Sequence, residues 1–267
     1  MLKIKTFRGK GDLKKACKAL SFPSPIIKKR LDSTSTHLRH LAEDGAAHGT
    51  IVIADRQSAG RGRTGKSFLS PDGGLYMSLL IRDKLFSSAV DIITPTAAVA
   101  ASMAIKDALG ADVSVKWVND LFHEGKKVCG ILTEAVRDAS SGDVKYVVLG
   151  IGINVFEPQG GFGELSDIAA SLLREKKDAD VIHHLASLVT EYFFRLWDTD
   201  KIDIIYSEYK KRLFILDSGI SVIRGEESIP AKVIDLEKDF SLTVEYGDGR
   251  HERLNSGEIS IIPHVNS

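Results

Sequence analysis

One segment of the chain alternates glycine with cationic side chains: Gly60-Arg61-Gly62-Arg63-Thr64-Gly65-Lys66-Ser67. As a pattern it satisfies the phosphate-loop template G-x-x-x-x-G-K-[ST], in which backbone N–H groups hold phosphates at the start of a helix. The residues that follow predict a turn instead of a helix, because Pro71 precedes Asp72-Gly73-Gly74. A phosphate loop also has no need of two arginines, so the arginines indicate a different use.

Four segments carry polar residues that could bind a small molecule. They are Asp32-Ser33-Thr34-Ser35, then Gln57 to Gly65, then Lys116-Trp117-Val118-Asn119-Asp120-Leu121 continuing through Lys126 to Glu134, and finally Gly150-Ile151-Gly152-Ile153-Asn154-Val155. Each is weak alone, since Asn-Asp is an ordinary turn and Gly-x-Gly lacks the third glycine of a dinucleotide fingerprint. In this order, the four segments resemble the biotin–protein ligases from roughly residue 30 to the C-terminal end.

The resemblance implies a two-step, ATP-dependent ligase. The carboxylate of biotin attacks the α-phosphate of ATP, which gives biotinyl-5′-adenylate and pyrophosphate, and a lysine of a biotin carboxyl carrier protein then attacks that anhydride. The first step joins two anions, so it needs fixed positive charge at the reacting phosphate. Arg61, Arg63 and Lys127 match the family positions that supply this charge and are the expected catalytic residues. Mg²⁺ is expected to be held with the ATP phosphates and not by a cage of protein ligands.

The resemblance also assigns the binding residues. A pocket for biotin needs apolar walls, to which Phe68 is expected to contribute, and a few fixed polar groups. The glycine-rich loop is expected to order over bound ligand and keep water from the labile adenylate. The expected biotin-binding residues are Ser33, Thr34, Ser35, Gln57, Gly60, Arg61, Gly62, Arg63, Lys127 and Gly130, where a side chain on Gly130 would intrude into the pocket. The expected ATP-binding residues are Arg63, Lys116, Asn119, Asp120 and Asn154.

The sequence departs from the family pattern at four of these positions. Val118 replaces a common proline, Lys66 and Phe68 stand where Arg and Trp are frequent, and Ser35 stands where Asn is frequent. The residues before the first segment are too few for the DNA-binding domain of the repressor members, which predicts the monofunctional type. The carrier protein is the expected partner, and the chain is expected to be a monomer or a homodimer.

Composition restricts which other classes of protein the chain could belong to. Lys+Arg and Asp+Glu both number 36, which argues against a protein that binds nucleic acid by bulk electrostatics. Cys17 and Cys129 are too few for a disulfide scaffold, which suits a reducing cytoplasm. Neither a signal peptide nor a membrane span is expected from the pattern of apolar residues.

Hydrophobic periodicity predicts an α+β fold with a mixed, largely antiparallel sheet. It divides the chain into a catalytic domain, residues 1–215, and a C-terminal SH3-like β-barrel, residues 216–267, a barrel that the family also has. Strands are predicted at 50–55, 75–81, 113–117, 127–135, 145–155, 220–224, 231–235, 242–246, 251–254 and 259–262. Helices are predicted from the capping residues 32–36 to Gly45, and at 95–109, 166–173, 179–197 and 201–213.

Three alternatives remain at this point. A lipoate–protein ligase shares the broad fold and chemistry, although the Gly-Arg-Gly-Arg loop and the barrel favour biotin. A non-catalytic regulator could keep the biotin pocket without turnover. A phosphate-loop ATPase is the last alternative, and it requires the helix that the sequence does not predict.

Overall fold

The chain folds into a mixed sheet packed with helices, followed by a smaller antiparallel sheet, in a computed structural model. The structure describes residues 12–82, 89–175, 180–197, 201–255 and 260–263. Its helices are α1 Asp12–Ala19, α2 Thr34–Glu43, α3 Val90–Leu109, α4 Asp180–Leu196 and α5 Ile202–Arg212. Its strands are β1 Ile26–Leu31, β2 Ile51–Gln57, β3 Leu75–Ile81, β4 Ser114–Lys116, β5 Asp120–His123, β6 Lys126–Arg137, β7 Val144–Ile153, β8 Gly219–Arg224, β9 Glu227–Leu236, β10 Leu242–Tyr246, β11 His251–Leu254 and β12 Ser260–Pro263.

The larger sheet has the strand order β1-β2-β3-β7-β6-β5-β4. β1 and β2 are parallel, and the other neighbouring pairs are antiparallel. Parallel strands need a long crossover, and α2 provides it between β1 and β2. The predicted α+β class with a mixed, largely antiparallel sheet is therefore confirmed.

Helices cover both faces of this sheet. α2 packs on one face, where its Leu38 and Ala42 meet Val52, Leu80 and Tyr146 of three strands. α3 and α4 pack together on the opposite face, so β3 is buried along its whole length. This two-sided burial explains why β3 is a continuous apolar run and not an alternating one.

The alanine-rich helix α3 begins at Val90, five residues before the predicted start at residue 95. Pro95 lies inside the helix, so interpreting it as the first helical residue was wrong. The predicted end at Gly110 is confirmed, because that residue adopts φ 73° and its N–H donates to Lys106 O. By length and composition α3 could span a membrane, but 61% of its apolar window is buried in the fold, as in a core helix.

The sequence prediction differs from the structure in several other elements. The predicted helix at 166–173 is wrong, because this segment is irregular and makes parallel bridges from Ala169 to Lys127 and from Leu173 to Phe156. α1, β1 and β5 were missed. β5 pairs with β4 through a tight turn in which the Trp117–Val118 peptide bond is cis. The sequence does not assign a role to residues 1–26, and of these, residues 1–11 lie outside the described residues.

The smaller sheet is antiparallel, with the order β11-β10-β9-β8-β12. Each of its strands overlaps a predicted one, but β9 begins at Glu227, four residues before the predicted start at residue 231. Closure into an SH3-like barrel and the domain boundary at 215/216 stay predictions. The loop between β9 and β10 docks on the core, where Trp117 Nε1 donates to Phe240 O at 2.8 Å. Tyr206 of α5 donates to Leu236 O at 2.7 Å, so the smaller sheet is held beside the β4–β5 turn.

Candidate active site

A cleft of about 630 Å³ opens between α2, the glycine-rich loop, the large sheet and the β8–β9 turn. Most of the predicted site residues line it, although they come from segments far apart in the chain. Those that line the cleft are Ser33, Thr34, Ser35, Gln57, Arg61, Gly62, Arg63, Lys116, Asn119, Asp120, Lys127 and Gly130, together with Phe68. The structure therefore brings the four segments together in one place.

Two predicted residues, Gly60 and Asn154, do not line the cleft. Gly60 lies at the base of the glycine-rich loop, where a Cβ would be 2.3 Å from Phe68 O. Asn154 is buried, and its Nδ2 donates to Ala170 O at 3.0 Å. Asn154 Oδ1 has no hydrogen-bond partner in the described part of the chain. Gly60 therefore has a packing role, and Asn154 is a buried residue that does not line the cleft.

The glycine-rich loop is a tight irregular loop and not a phosphate loop. Arg61 and Ser67 form an antiparallel bridge, and Gly62 N donates to Lys66 O at 2.7 Å. Between them, Thr64 adopts φ 52° inside a single 3₁₀ turn. Residues 66–75 lead into β3 without a helix, so the helix N-terminus that a phosphate loop requires is absent from this described segment.

Lys127 faces the cleft because β6 carries a bulge. In a regular strand, residues three apart point to opposite faces. Here Phe122 of β5 pairs with Lys127 while Leu121 pairs with Cys129, so β6 holds one extra residue between its two partners. Lys127 and Gly130 consequently share a face, and a Cβ on Gly130 would lie 3.4 Å from Lys127 Cε.

An ion pair fixes the Lys127 ammonium. Nζ lies 2.7 Å from Asp120 Oδ1 and 5.9 Å from the centre of the Phe68 ring. Both members of the pair are partly buried. The cation is therefore placed between an acidic partner and an apolar wall, in a position where a ligand anion can reach it.

Arg63 reaches the same end of the cleft through Asn119. Its Nη1 donates to Asn119 Oδ1 at 3.1 Å, and Asn119 Nδ2 donates to Asp120 Oδ1 at 3.0 Å. Asn119 is in turn anchored by a 3.1 Å hydrogen bond to Ile131 O. Burial lowers the pKa of the Arg63 guanidinium, and the charge of Asp120 raises it. A chain of hydrogen bonds thus orients this arginine.

The cleft carries an excess of positive charge. Burial lowers the pKa of the Lys116 ammonium, Asp120 raises it, and Lys127 and Lys66 lower it further. Among the described residues that line the cleft, Asp120 is the sole acidic side chain. The cations that line it are Arg61, Arg63, Lys66, Lys116 and Lys127. Such a concentration of one sign of charge attracts a polyanion such as a nucleoside triphosphate.

Arg61 is held by a residue that sequence reasoning did not assign to the site. Its guanidinium makes two hydrogen bonds to Glu134 of β6, from Nη2 to Oε1 at 2.7 Å and from Nη1 to Oε2 at 3.2 Å. Arg39 of α2 donates to the same Oε1 at 2.8 Å. These three side chains form the Arg39–Glu134–Arg61 cluster, which connects the glycine-rich loop, β6 and α2.

The hydroxyl groups of Thr34, Ser35 and Ser78 form a hydrogen-bonded row, here called the hydroxyl row, at the α2 side of the cleft. Ser33 caps α2 by accepting from Thr36 N at 3.4 Å, which places Thr34 and Ser35 in the first turn. Thr34 N–H donates to Gln57 at 2.8 Å, which identifies the accepting atom as the amide oxygen Oε1. The Thr34 hydroxyl lies 3.1 Å from the same oxygen, so it must donate as well.

The bond from Thr34 to Gln57 also determines which hydroxyl donates in the other hydrogen bonds of the row. Because its hydroxyl proton is used, the Ser78 hydroxyl donates to Thr34 Oγ1 at 2.8 Å. Ser35, 3.0 Å from Ser78 Oγ, must then donate to Ser78. Ser35 therefore presents lone pairs and no proton to the cleft, so it can accept an N–H group from a ligand. Apart from Tyr76, Ser78 is the only polar residue of β3, which is the sequence signal that could have identified it.

Glycines make room for the Phe68 ring. A Cβ on Gly130 would come within 3.0 Å of the ring, and one on Gly152 within 2.6 Å. A Cβ on Gly150 would lie 2.7 Å from Ser35 Oγ. The expectation that a side chain on Gly130 would intrude here agrees with this geometry.

Sequence reasoning missed further cleft residues. Ile223 of β8 and Gly225 of the β8–β9 turn gave no sequence signal, because only the docking of the smaller sheet brings them near. Within the described ranges, no group of three or more His, Cys, Asp or Glu side chains could hold a metal ion by itself.

Comparisons with known proteins agree with this geometry. Residues 27–154 match the model of the biotin/lipoate A/B protein ligase family. The bifunctional ligase/repressor BirA of Bacillus subtilis is 35% identical over 244 residues, which cover 81% of this chain and 72% of the relative. The biotin–[acetyl-CoA-carboxylase] ligase of Mycobacterium tuberculosis is 27% identical over 244 residues, or 85% of each chain. The structure of a biotin protein ligase from Aquifex aeolicus in complex with biotin and ATP superposes with a TM-score of 0.74 at 27% identity, covering 91% of this chain and 100% of that one.

Proposed function

This chain belongs to the biotin/lipoate A/B protein ligase family and, within it, to the biotin–protein ligases, and on that premise we propose how its cleft performs ATP-dependent biotinylation. The solved relative that contains biotin and ATP supports these two molecules as substrates. The observation that carries the proposal is the convergence of Lys127, Arg63 and the hydroxyl row in one cleft.

The hydroxyl row binds the ureido ring of biotin. Ser35 presents only lone pairs to the cleft, which suits the N–H groups of that ring. Phe68 supplies an apolar wall for the neutral body of the ligand. Lipoate has no N–H group in its ring, so the same residues would leave an acceptor unpaired on binding it. This difference favours biotin over lipoate by the cost of an unsatisfied buried acceptor.

The cations bring the two anions together. A carboxylate oxygen of biotin forms a bond to the α-phosphorus of ATP, the bond from that phosphorus to the β-phosphate oxygen breaks, and pyrophosphate leaves. Lys127 and Arg63 neutralise the carboxylate and the phosphate during this step, and Lys116 and Asn119 contact the nucleotide. Because hydrogen bonds already hold these groups in place, little reorganisation is needed when charge develops.

Asp120 fits a role in holding Mg²⁺ together with the ATP phosphates. It supplies carboxylate oxygens, the ligands that Mg²⁺ prefers, and it lies among the cations that would bind the triphosphate. When bound, Mg²⁺ neutralises phosphate charge and makes pyrophosphate a better leaving group. The residues of this chain orient the nucleotide around it, with Asn119 hydrogen-bonded to Asp120.

The second step modifies a biotin carboxyl carrier protein. The neutral amine of a carrier lysine attacks the acyl carbon of the adenylate, AMP leaves, and the amine loses a proton to form the amide. The name of the Mycobacterium tuberculosis relative supports the carrier domain of an acetyl-CoA carboxylase as the substrate.

Other features of the chain are part of the same proposal. The smaller sheet closes as an SH3-like barrel, with the domain boundary at 215/216. The protein works in the cytoplasm as a monomer or homodimer and has no nucleic acid or membrane partner, which the equal numbers of acidic and basic residues, 36 each, support.

Transfer to a carrier domain tests the proposal. The purified protein is incubated with biotin, ATP, Mg²⁺ and an acetyl-CoA-carboxylase carrier domain, and the mass of the carrier is measured. We expect the mass of one biotinyl group to be added, to depend on ATP and Mg²⁺, and to be absent from a carrier whose acceptor lysine is replaced by arginine. A carrier that stays unmodified, or that accepts lipoate in preference to biotin, would contradict the proposal.

A further inference from the structure

Glu134 lies on the same face of β6 as Gly130 and Leu132, at the opposite end of the strand from Lys127. Its carboxylate is one point at which the glycine-rich loop and α2 are both joined to the large sheet. Arg61 belongs to the loop and Arg39 to α2, and both guanidinium groups donate to this one carboxylate. Glu134 is therefore placed to fix the loop without contacting the ligand itself.

The geometry of this contact is that of a strong ion pair. Arg61 uses two nitrogens on two oxygens, an arrangement that adds orientation as well as attraction. The Arg61 and Glu134 side chains are 39% and 17% exposed, whereas the members of the Lys106–Asp112 pair on the surface are 51% and 85% exposed. Partial burial weakens the screening by salt that makes most surface ion pairs ineffective.

The backbone of Arg61 transmits this restraint to the rest of the loop. Arg61 is bridged to Ser67, and Phe68 N donates to Gly60 O at 2.8 Å. The two limbs of the loop therefore move together, and Phe68 in the cleft moves with them. Fixing the Arg61 side chain to β6 fixes the loop over the cleft.

We propose that Glu134 is a positioning residue that keeps the glycine-rich loop closed through Arg61 and thereby sets how long the adenylate is retained. The part concerning the adenylate rests on the proposed function. Arg39 gives the cluster a net positive charge, so loss of the Glu134 carboxylate leaves two guanidinium groups facing each other. Their repulsion then drives the loop away from the cleft.

The position of the loop can be tested without any ligand. Trypsin cuts after arginine and lysine in backbone that has opened locally, so we expect the initial rate of cutting after Arg61, Arg63 and Lys66 to rise when the loop leaves the sheet. In Glu134→Gln we expect cutting about tenfold faster than in the unaltered protein, which corresponds to the loss of one strong charged contact. The matched control is Asp112→Asn, which removes a surface ion pair on the α3–β4 connection and should leave cutting unchanged.

A second substitution separates this role from a general loss of stability. Arg39→Gln in the Glu134→Gln background removes one of the two repelling cations, so we expect it to restore slow cutting in part. Glu134→Asp keeps the charge and should stay closer to the unaltered protein. Cutting of Glu134→Gln at the unaltered rate, or failure of Arg39→Gln to restore it, would overturn the proposal.

The consequence for the reaction is measured as release of biotinyl-5′-adenylate after a single turnover in the absence of carrier. We expect Glu134→Gln to release it about tenfold faster and to raise KM for biotin, with kcat for pyrophosphate exchange within about twofold. A fall in kcat at unchanged KM and unchanged release would overturn the positioning role. An unaltered protein without biotin-dependent exchange would contradict the proposed function, and the trypsin comparison would still decide whether Glu134 holds the loop.

Discussion

Lys127 and Gly130 share the cleft face of β6 because of the bulge between them, and a Cβ on Gly130 would lie 3.4 Å from Lys127 Cε. Without the extra residue, the ammonium would point to the α3 side of the sheet, where the neighbouring side chains are apolar. The bulge thus places a cation and a glycine-lined space side by side. The ligand carboxylate can meet the first while its apolar body fills the second.

Replacement of Lys127 tests the role of that cation. We expect Lys127→Ala to slow adenylation by about two to three orders of magnitude, as does loss of one preorganised donor to a developing anion. The rate is measured as biotin-dependent exchange of pyrophosphate into ATP. Lys126→Ala is the matched control, because Lys126 Nζ donates to Ser166 O outside the cleft, and its exchange rate should be unchanged. Near-normal exchange by Lys127→Ala would remove the assigned role.

The glycines under Phe68 predict an order of severity. A Cβ on Gly152 would be 2.6 Å from the ring and one on Gly130 would be 3.0 Å away, so Gly152→Ala displaces the ring further. Overpacking of this kind costs about 1–3 kcal/mol, or roughly five- to 150-fold in an equilibrium constant. We expect a larger increase in KM for biotin in Gly152→Ala than in Gly130→Ala. Phe68→Leu should relieve the defect of Gly152→Ala, and the reverse order of severity would contradict this packing.

Arg63 is predicted to retain the adenylate. Loss of a charged hydrogen-bond donor to phosphate should speed release by about tenfold, or more where the site is buried. We expect Arg63→Ala to lose biotinyl-5′-adenylate to solvent faster, measured by rapid filtration after one turnover. Arg56→Ala is the control, since Arg56 is half-exposed and pairs with Asp72 away from the cleft. Equal release by both variants would contradict the role of Arg63.

Ionisation of Tyr146 is expected to lower the free energy of unfolding at alkaline pH. Burial and a hydrogen bond to Glu43 raise the pKa of its hydroxyl from 10.0 to about 12. The folded protein therefore favours the neutral phenol, and this contribution is complete below pH 10 and is lost as pH rises through 12. Urea unfolding should show a smaller loss of stability across this interval in Tyr146→Phe than in the unaltered protein. An identical loss in both would contradict this assignment.

Sequence patterns correctly predicted elements whose ends are set by neighbouring residues. β3 was predicted with the bounds observed, because a turn signal at Gly73-Gly74 and the end of the apolar run at Arg82 delimit it. The start of α3 was missed because Pro95 is tolerated inside this helix. The segment 166–173 has helical spacing, but its backbone bonds to β6 and to the segment after β7, which outweighs periodicity.

The sequence predicted most of the residues that line the cleft, but not the contacts that connect them. Lys127 and Gly130 were both identified, yet the bulge that places them on one face has no sequence signal. Glu134 and Arg61 are separated by 73 residues, so no local pattern predicts that they pair. Which hydroxyl donates and which accepts in the hydroxyl row likewise depends on Ser78, which lies on β3, whereas Thr34 and Ser35 lie on α2.

Pyrophosphate exchange into ATP measures whether this cleft adenylates biotin. The purified protein is assayed with Mg²⁺ and with biotin, lipoate or no organic acid. We expect exchange that requires biotin and is near background with lipoate or without an acid. Exchange that requires lipoate, or no exchange with either acid, would contradict it.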